Sequence, residues 1–225
     1  MRSEESMGQS RGMDRRDFLR LSSLGLAGAV LLATAGVGDA PAQQAGSVLE
    51  AEFEEAAREY GVPKELLLAM GYVNTLWEMP PPEANVYEPG DLHGWGSYGI
   101  MALVQNPSSD TLGEASRLTG ISEEMLKTDR RSNIRGGAAL LAESQGTKPN
   151  RLGDWIGAVD GRGGNGKVYE AVAGVGGGEL YAEQTFDVLT SGASAWTANG
   201  ELIKLPARSL TAPVRVPVTV MGKVF

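Results

Sequence analysis

Cysteine is absent from this chain of 225 residues, and histidine occurs only once, at His93. Without thiols the protein has neither a disulfide framework nor a thiolate metal site, and a single histidine cannot build a histidine-rich zinc site. A Ser/His/Asp triad would have to use His93, whose glycine-rich neighbours predict a loop histidine with ordinary hydrogen bonds. We therefore expect no metal and no cofactor, and a fold that side-chain packing stabilises.

Basic runs are also lacking beyond residue 42. Residues 1–42 contain five basic and five acidic side chains, so the whole net charge of -8 falls on the rest of the chain. Binding to a nucleic-acid backbone depends on clustered lysine and arginine, which displace counterions from the phosphates. The charge distribution argues against a nucleic-acid partner and against an anionic membrane surface.

No apolar run has the length and hydrophobicity of a membrane span. Residues 21–37 are uncharged but rich in Gly and Ala, and they fall short of the about 20 strongly apolar residues that a span needs. They follow an Arg-Arg pair at residues 15–16 and precede Ala-Pro-Ala at residues 40–42, a cleavage pattern of small residues. We predict a signal peptide over residues 1–42, export by the twin-arginine translocase and a secreted protein, with Met13 as an alternative start.

The chain after the signal begins with two predicted helices. Residues 49–60 place apolar side chains at helical spacing, and Gly61 ends this helix. Pro63 is tolerated in a first helical turn, and residues 66–73 are apolar on nearly all sides, which predicts a buried second helix. We expect this helix to run to Met79, because three prolines follow it.

Five more helices and a hairpin are predicted in the remainder. The Asn199-Gly200 pair is the strongest short hairpin signal in the chain. The valine-rich residues after Pro206 predict an extended tail that would serve as a linker. The five helices are 111–118, one capped by Ser122, one capped by Asp129 or Asn133 that runs through Leu141, 155–159 and 183–189.

Three segments carry a family resemblance. Residues 61–69 read Gly-Val-Pro-Lys-Glu-Leu-Leu-Leu-Ala, residues 97–103 read Ser-Tyr-Gly-Ile-Met-Ala-Leu, and residues 129–141 begin Asp-Arg-Arg-Ser-Asn-Ile-Arg-Gly-Gly. In this order they resemble the lysozyme-like domain of soluble lytic transglycosylases: the start of the catalytic helix, a Gly-Leu-Met-Gln-Leu segment, and a helix that opens with Asp-Pro-x-x-Asn-Ile-x-x-Gly. The resemblance spans about residues 49–160 and implies a lysozyme-like fold and a peptidoglycan ligand.

Two positions depart from the family pattern. Asn74 stands where the family has its catalytic Glu, and Ala102 stands where the second segment has Gln. Cleaving a glycosidic bond needs an acid that protonates the leaving oxygen, and an amide has no such proton to give. Glu78, on the same face of the predicted helix, is the candidate displaced acid, and Glu83 and Glu88 in the following loop are alternatives.

A narrower resemblance covers residues 53–141 and the Leu-Gly-Asp-Trp at residues 152–155. These are most similar to the amino-terminal region of actinobacterial secreted N-acetylmuramoyl-L-alanine amidases, which looks like a degenerate transglycosylase domain. The amidase domain itself needs histidine ligands that this chain lacks. The resemblance implies an amidase domain that is separate or lost, or a stand-alone cell-wall module.

Together these observations predict a mainly α protein. We expect a signal peptide over 1–42, a lysozyme-like helical domain over 43–195, and a short C-terminal β hairpin with an extended tail over 196–225. The expected function is non-catalytic binding of peptidoglycan or another glycan; the alternative is an active lytic transglycosylase. The candidate ligand-binding surface is Asn74, Trp77, Trp95 and Tyr98, because aromatic faces suit sugar rings and an amide both donates and accepts hydrogen bonds. For Trp77 and Tyr98, packing in the core is the alternative.

Overall fold

Helices make up most of the chain that the computed structural model describes, which is residues 47–90, 96–160 and 177–210. The expected mainly α class with a small C-terminal hairpin is confirmed. The helices of these ranges are α1 Val48–Tyr60, α2 Lys64–Thr75, α3 Thr111–Thr119, α4 Glu123–Thr128, α5 Arg130–Gln145, α6 Ile156–Val159 and α7 Gly177–Ser191, with 3-10 turns at Pro82–Asn85 and Leu152–Trp155. The strands are β1 Ser97–Tyr98, β2 Leu103–Asn106, β3 Ser109–Asp110, β4 Ala193–Trp196 and β5 Leu202–Leu205.

Some sequence predictions fall outside the described residues. The signal peptide over 1–42, His93, Trp95 and the tail over 211–225 are among them. Within the described ranges, no helix is long and apolar enough to cross a membrane.

Polar side chains cap several of the helices, and two of these caps, Ser122 and Asp129, are predicted from the sequence. Side-chain oxygens at these positions satisfy backbone N–H groups that have no partner inside the helix. Of the two candidate caps of α5, Asp129 is the cap, and Asn133 lies fully buried in the helix instead. The capping residues are Ser47 for α1, Asp110 for α3, Ser122 for α4 and Asp129 for α5.

Helix α5 runs through the middle of the core. It packs against α1, α3, α4 and α6, while α2 packs against α1 and α7. Two glycines let β2 and its preceding turn approach α5 closely: a Cβ on Gly137 would lie 2.7 Å from Cγ of Met101, and one on Gly136 would lie 3.1 Å from Cδ1 of Leu103. Small residues at this crossing are therefore required by packing.

Ion pairs connect α1 and α5 along their length. Arg130 Nε lies 2.6 Å from Glu52, and Arg135 lies 2.6 Å from Glu59, while Arg131 pairs with Glu55 between them. Because the glutamates recur every three or four residues on α1 and their arginine partners follow in the same order on α5, the pairs form one row along the contact. Glu54 of α1 also has a cationic partner, Lys64, whereas Glu50 accepts the backbone N–H of Lys204. The row neutralises much of the negative charge of α1.

A small antiparallel sheet of order β1-β2-β3 lies between α2 and α3 in the sequence. Ser97 pairs with Val104 in its first ladder, and Asn106 pairs with Ser109 in its second. None of these three strands is predicted from the sequence. Strands of two to four residues are too short to show alternation of apolar and polar side chains.

The predicted C-terminal hairpin is confirmed, with Asn199 and Gly200 in its turn. Ile203 and Leu205 are buried in the same core as the helices, so the hairpin belongs to one compact unit with them. The domain boundary expected after residue 195 falls within β4. The inward apolar side chains, rather than strand pairing alone, stabilise this two-stranded element.

The residues directly after the hairpin are also attached to the helical core. Arg208 donates its backbone N–H to Leu189 O at 2.8 Å and pairs with Glu65 at 2.6 Å. Leu210 packs against the core. The expected loosely packed tail therefore does not begin at Pro206, and residues 206–210 contribute contacts.

Candidate functional site

Helix α2 ends earlier than the sequence predicts, and this shapes the candidate site. It stops at Thr75, and Leu76 and Trp77 adopt left-handed backbone angles with φ of 56° and 65°. Such angles cost non-glycine residues about 1–2 kcal/mol each. The three prolines are not the cause of the stop; instead the chain reverses so that the Trp77 ring packs back onto the helix.

Trp77 is a core residue. Its side chain is 1% exposed, and its Nε1 donates to Leu68 O of α2 at 2.7 Å. Its ring lies 4.8 Å from that of Tyr72 in a tilted arrangement. The expectation that Trp77 forms a ligand-binding surface is wrong, and the core-packing interpretation holds. Burial of this ring compensates for the strained angles before it.

Glu78 is not on the face of α2. Because the helix has ended three residues earlier, the predicted helical alignment of Glu78 with Asn74 is wrong. Its Oε1 instead accepts the backbone N–H of Ala198, in the turn of the C-terminal hairpin, at 2.7 Å. Glu78 therefore joins the loop after α2 to the hairpin. The alternative acids, Glu83 and Glu88, are exposed.

Asn74 lies in the last turn of α2 and is half-buried. Its Nδ2 is buried and makes no hydrogen bond of standard geometry with a described residue. Burial raises the pKa of Tyr181 on α7, and the side chains of Asn74 and Thr185 act in the opposite direction. Asn74 is thus a polar group between α2 and α7 that can donate or accept a hydrogen bond.

Tyr98 is also largely buried, at 6% exposure, and burial raises its pKa. Nζ of Lys127 lies 4.6 Å from the centre of its ring, close enough for a cation–π contact. Lys127 also donates to Gln105 Oε1 at 2.6 Å, and Gln105 donates to Glu123 at 2.7 Å. One face of the Tyr98 ring is occupied by Lys127, so the predicted role of Tyr98 as an open sugar platform is not supported.

Asn133 connects the second and third resembling segments. Its Oδ1 accepts the N–H of Met101 at 2.8 Å, and its Nδ2 donates to Tyr98 O at 3.0 Å and Leu126 O at 2.8 Å. The turn approaches so closely that a Cβ on Gly99, with φ of 71°, would lie 2.2 Å from Nδ2. The Asn and Gly positions of the motif thus hold the turn between β1 and β2 against α5.

Helix α2, which begins in the first resembling segment, also packs near the turn between β1 and β2. A Cβ on Gly71 of α2 would lie 3.6 Å from Cγ1 of Ile100 and 3.3 Å from Cδ1 of Trp77. Ile100 lies in the turn that Asn133 holds. The end of α2, the β1–β2 turn and α5 are therefore in mutual contact, with Asn74 one helical turn beyond Gly71.

Two features of the site were not found by sequence analysis. Lys127, which covers Tyr98, carried no signal because its partners lie on other elements. Trp196 is the most exposed large apolar side chain of the described residues, at 68%. A signal for its outward position was present: Lys204 between Ile203 and Leu205 sets which face of the hairpin meets water.

The polar group at the end of α2 is the Asn74 amide, which can both donate and accept hydrogen bonds. Among the described residues, no group of three or more His, Asp or Glu side chains is arranged to hold a metal ion. Compared with known proteins, the chain matches no family model and no curated protein.

Proposed function

We propose that this protein is an exported, non-catalytic, lysozyme-like module that binds the glycan strands of peptidoglycan. The observation that carries the proposal is the position of Asn74. It lies in the last turn of α2, where the resembling enzymes have their acid, one helical turn beyond Gly71, which packs near Ile100 of the β1–β2 turn.

The contacts among the three segments support a lysozyme-like arrangement. Gly71 meets Ile100, and Asn133 binds the backbone of Tyr98 and Met101. The second and third resembling segments therefore contact each other, and α2, which begins in the first segment, lies close to the second at Gly71. A chance resemblance of three short segments would not require them to meet in space.

The chemistry at Asn74 supports binding without cleavage. General acid catalysis contributes about 10² to 10⁴ in rate, and an amide cannot supply it. The displaced acid proposed from the sequence, Glu78, already accepts a backbone N–H from the hairpin turn. A carboxylate in that structural contact is poorly placed to move with a substrate.

Export follows from the proposed signal peptide. The Arg-Arg pair at residues 15–16 and the Ala-Pro-Ala at residues 40–42 support transport by the twin-arginine translocase and cleavage after residue 42. The mature protein would then meet peptidoglycan outside the cytoplasm. The similarity to amidase amino-terminal regions adds a separate amidase domain as a candidate partner.

The test is incubation of residues 43–225 with purified cell walls. Bound protein is measured by sedimentation with the walls, and released products are analysed by mass spectrometry for anhydromuramyl sugars. The wild type is compared with Asn74→Glu and Glu78→Gln. We expect binding without products from the wild type, and Glu78→Gln should behave like it.

Two results would overturn the proposal. Failure of the folded wild type to sediment with cell walls would remove the binding function. Anhydro products that disappear in Glu78→Gln would establish the displaced acid and an active transglycosylase. Products from Asn74→Glu alone would strengthen the proposal, because they would show that the missing acid is all that separates this site from an enzyme.

A further inference from the structure

The C-terminal hairpin has one face in the core and one in water. Side chains alternate along paired strands, so residues that pair directly share a face. Trp196 pairs with Leu202, and Ser194 pairs with Lys204, on the outer face. The inner face is supplied by Ala193, Ala195, Ile203 and Leu205.

Trp196 is not needed to attach the hairpin. The inner side chains Ile203 and Leu205 are 0% and 2% exposed, and Trp196 is 68% exposed. Its ring makes no ring–ring or cation–π contact with another described residue. A large aromatic side chain with so little packing contributes little to the fold, which directs attention to a ligand.

The hairpin presents this ring on a rigid support. In its turn, Thr197 N–H donates to Glu201 O and Gly200 N–H donates to Thr197 O, both at 2.9 Å. The Glu201 carboxylate accepts from Ser47 Oγ at 2.6 Å and from Arg130 at 2.9 Å. A preorganised platform loses little conformational entropy when it binds a ligand.

The size and polarity of the outer face fit a sugar better than a protein. A stable protein interface buries about 800 Å² per partner, and here a single exposed ring lies beside its half-buried cross-strand partner Leu202 and the polar residues Ser194 and Lys204. Lys204 is diagonal to Trp196 in the ladder, at a Cβ separation of about 7–8 Å. Its side chain is exposed and makes no ion pair with a described residue, so its ammonium group is available to carboxylates of a peptidoglycan ligand.

The platform is also connected to the candidate site. Ala198, two residues beyond Trp196, donates its N–H to Glu78, four residues beyond Asn74.

We infer that Trp196 is a sugar-stacking residue, and that with Lys204 it forms a glycan subsite for N-acetylated hexosamine rings; this inference rests on the proposed binding function. The indole face packs against the apolar face of a sugar ring, and the lysine interacts with carboxylates of the muramyl units. No covalent step is involved.

The experiment compares wild-type residues 43–225 with Trp196→Ala, Trp196→Tyr and Leu180→Ala. Leu180 is a matched control, since it is 56% exposed but lies on α7. Each variant is checked by circular dichroism and thermal melting, then sedimented with purified peptidoglycan and titrated with a soluble hexamer of N-acetylglucosamine. Trp77 and Trp155 are each 1% exposed, so a fluorescence change that is lost in Trp196→Ala reports contact at this ring.

We expect Trp196→Ala to weaken the apparent affinity about tenfold, while Trp196→Tyr retains most of it and Leu180→Ala all of it. If the wild type binds and Trp196→Ala binds equally well, this inference is overturned and the proposed function stands. If the wild type does not bind at all, the proposed function fails and this inference with it. A dimer that Trp196→Ala dissociates, without an effect on glycan binding, would instead assign the ring to a contact between copies of the chain.

Discussion

The loop after α2 and the outer face of the hairpin each carry a tryptophan, and the two side chains differ in their exposure to solvent. Trp77 follows Asn74 by three residues and is 1% exposed, whereas Trp196 lies in the C-terminal hairpin and is 68% exposed. The indole N–H of Trp77 donates to Leu68 O. The ring nearest the motif is therefore structural, and the ring far from it in sequence is open to a ligand.

Backbone conformation accounts for the difference. The left-handed angles at Leu76 and Trp77 return the chain onto α2, which sends that ring into the core. The alternation of β4 sends Trp196 outward, because the inner positions are filled by the alanines of the strand and by Ile203 and Leu205. Proximity to a motif in sequence does not determine which side chains face a ligand.

The largest expected effect is on stability at Trp77. Trp77→Ala removes a filled core volume and leaves Leu68 O without its indole donor, so we expect a loss of about 3–5 kcal/mol in the free energy of unfolding. Urea denaturation followed by circular dichroism measures it. Trp77→Phe, which retains most of the volume, should lose less. A loss below about 1 kcal/mol for Trp77→Ala would contradict the assignment of this ring to the core.

The next effect concerns two amides, Asn133 in the third resembling segment and Asn74 in the last turn of α2. Asn133→Ala leaves one N–H and two carbonyl groups without their partner, and we expect a loss of about 3 kcal/mol. Asn74→Ala should cost less than about 1 kcal/mol, since its Nδ2 makes no standard hydrogen bond. Thermal melting of both variants gives the comparison. Equal losses would show that Asn74 is as structural as Asn133.

Local rules predicted the helices because their signals lie within a few residues. The predicted caps Ser122 and Asp129 each accept a backbone N–H three residues further along the chain. Gly61 and Gly120 end helices with left-handed angles that glycine adopts without strain. Such signals depend on residues close by in the sequence and not on the tertiary contacts of the helix.

The end of α2 and the β1–β2 turn could not be predicted in the same way. The helix ends where packing of Trp77 repays strained angles, and this depends on groups elsewhere in the fold. The candidate surface failed for a related reason: Tyr98 is covered by Lys127, and the residues are 29 positions apart in sequence. Only the motif order linked these segments, and it did not predict which side chains are exposed.

A smaller effect on the free energy of unfolding is expected at Glu201, whose carboxylate attaches the hairpin to Ser47 and Arg130. Burial acts to raise the pKa of its carboxyl group, but hydrogen bonds from Ser47, Leu49 and Arg130 outweigh it, and the pKa lies below the ordinary value of 4.5. A carboxyl group with a lowered folded-state pKa stabilises the fold above its unfolded-state pKa. That contribution is lost as pH falls from about 4.5 through the lower folded-state value.

Glu201→Gln should therefore cost about 1 kcal/mol at pH 7, and the difference from the wild type should shrink below pH 4. Urea denaturation at pH 7, 5 and 3.5 measures it. Glu59, whose pKa Arg135 lowers through a hydrogen bond, titrates in the same range in both proteins and cancels in the comparison. A difference that grows on acidification would show that the sign is wrong.

The smallest expected effect on stability is at Trp196. Trp196→Ala should change the free energy of unfolding by less than about 0.5 kcal/mol, because exposed side chains away from special contacts contribute little. The measurement sets it beside Trp77→Ala in the same urea series, and acrylamide quenching of fluorescence adds an independent reading of exposure. In a Trp95→Phe background, loss of Trp196 should remove much of the quencher-accessible emission, while Trp77→Phe should leave that fraction in place. If Trp196→Ala instead destabilises the protein by more than about 1.5 kcal/mol, the ring packs against the fold, and its high exposure no longer argues for a ligand.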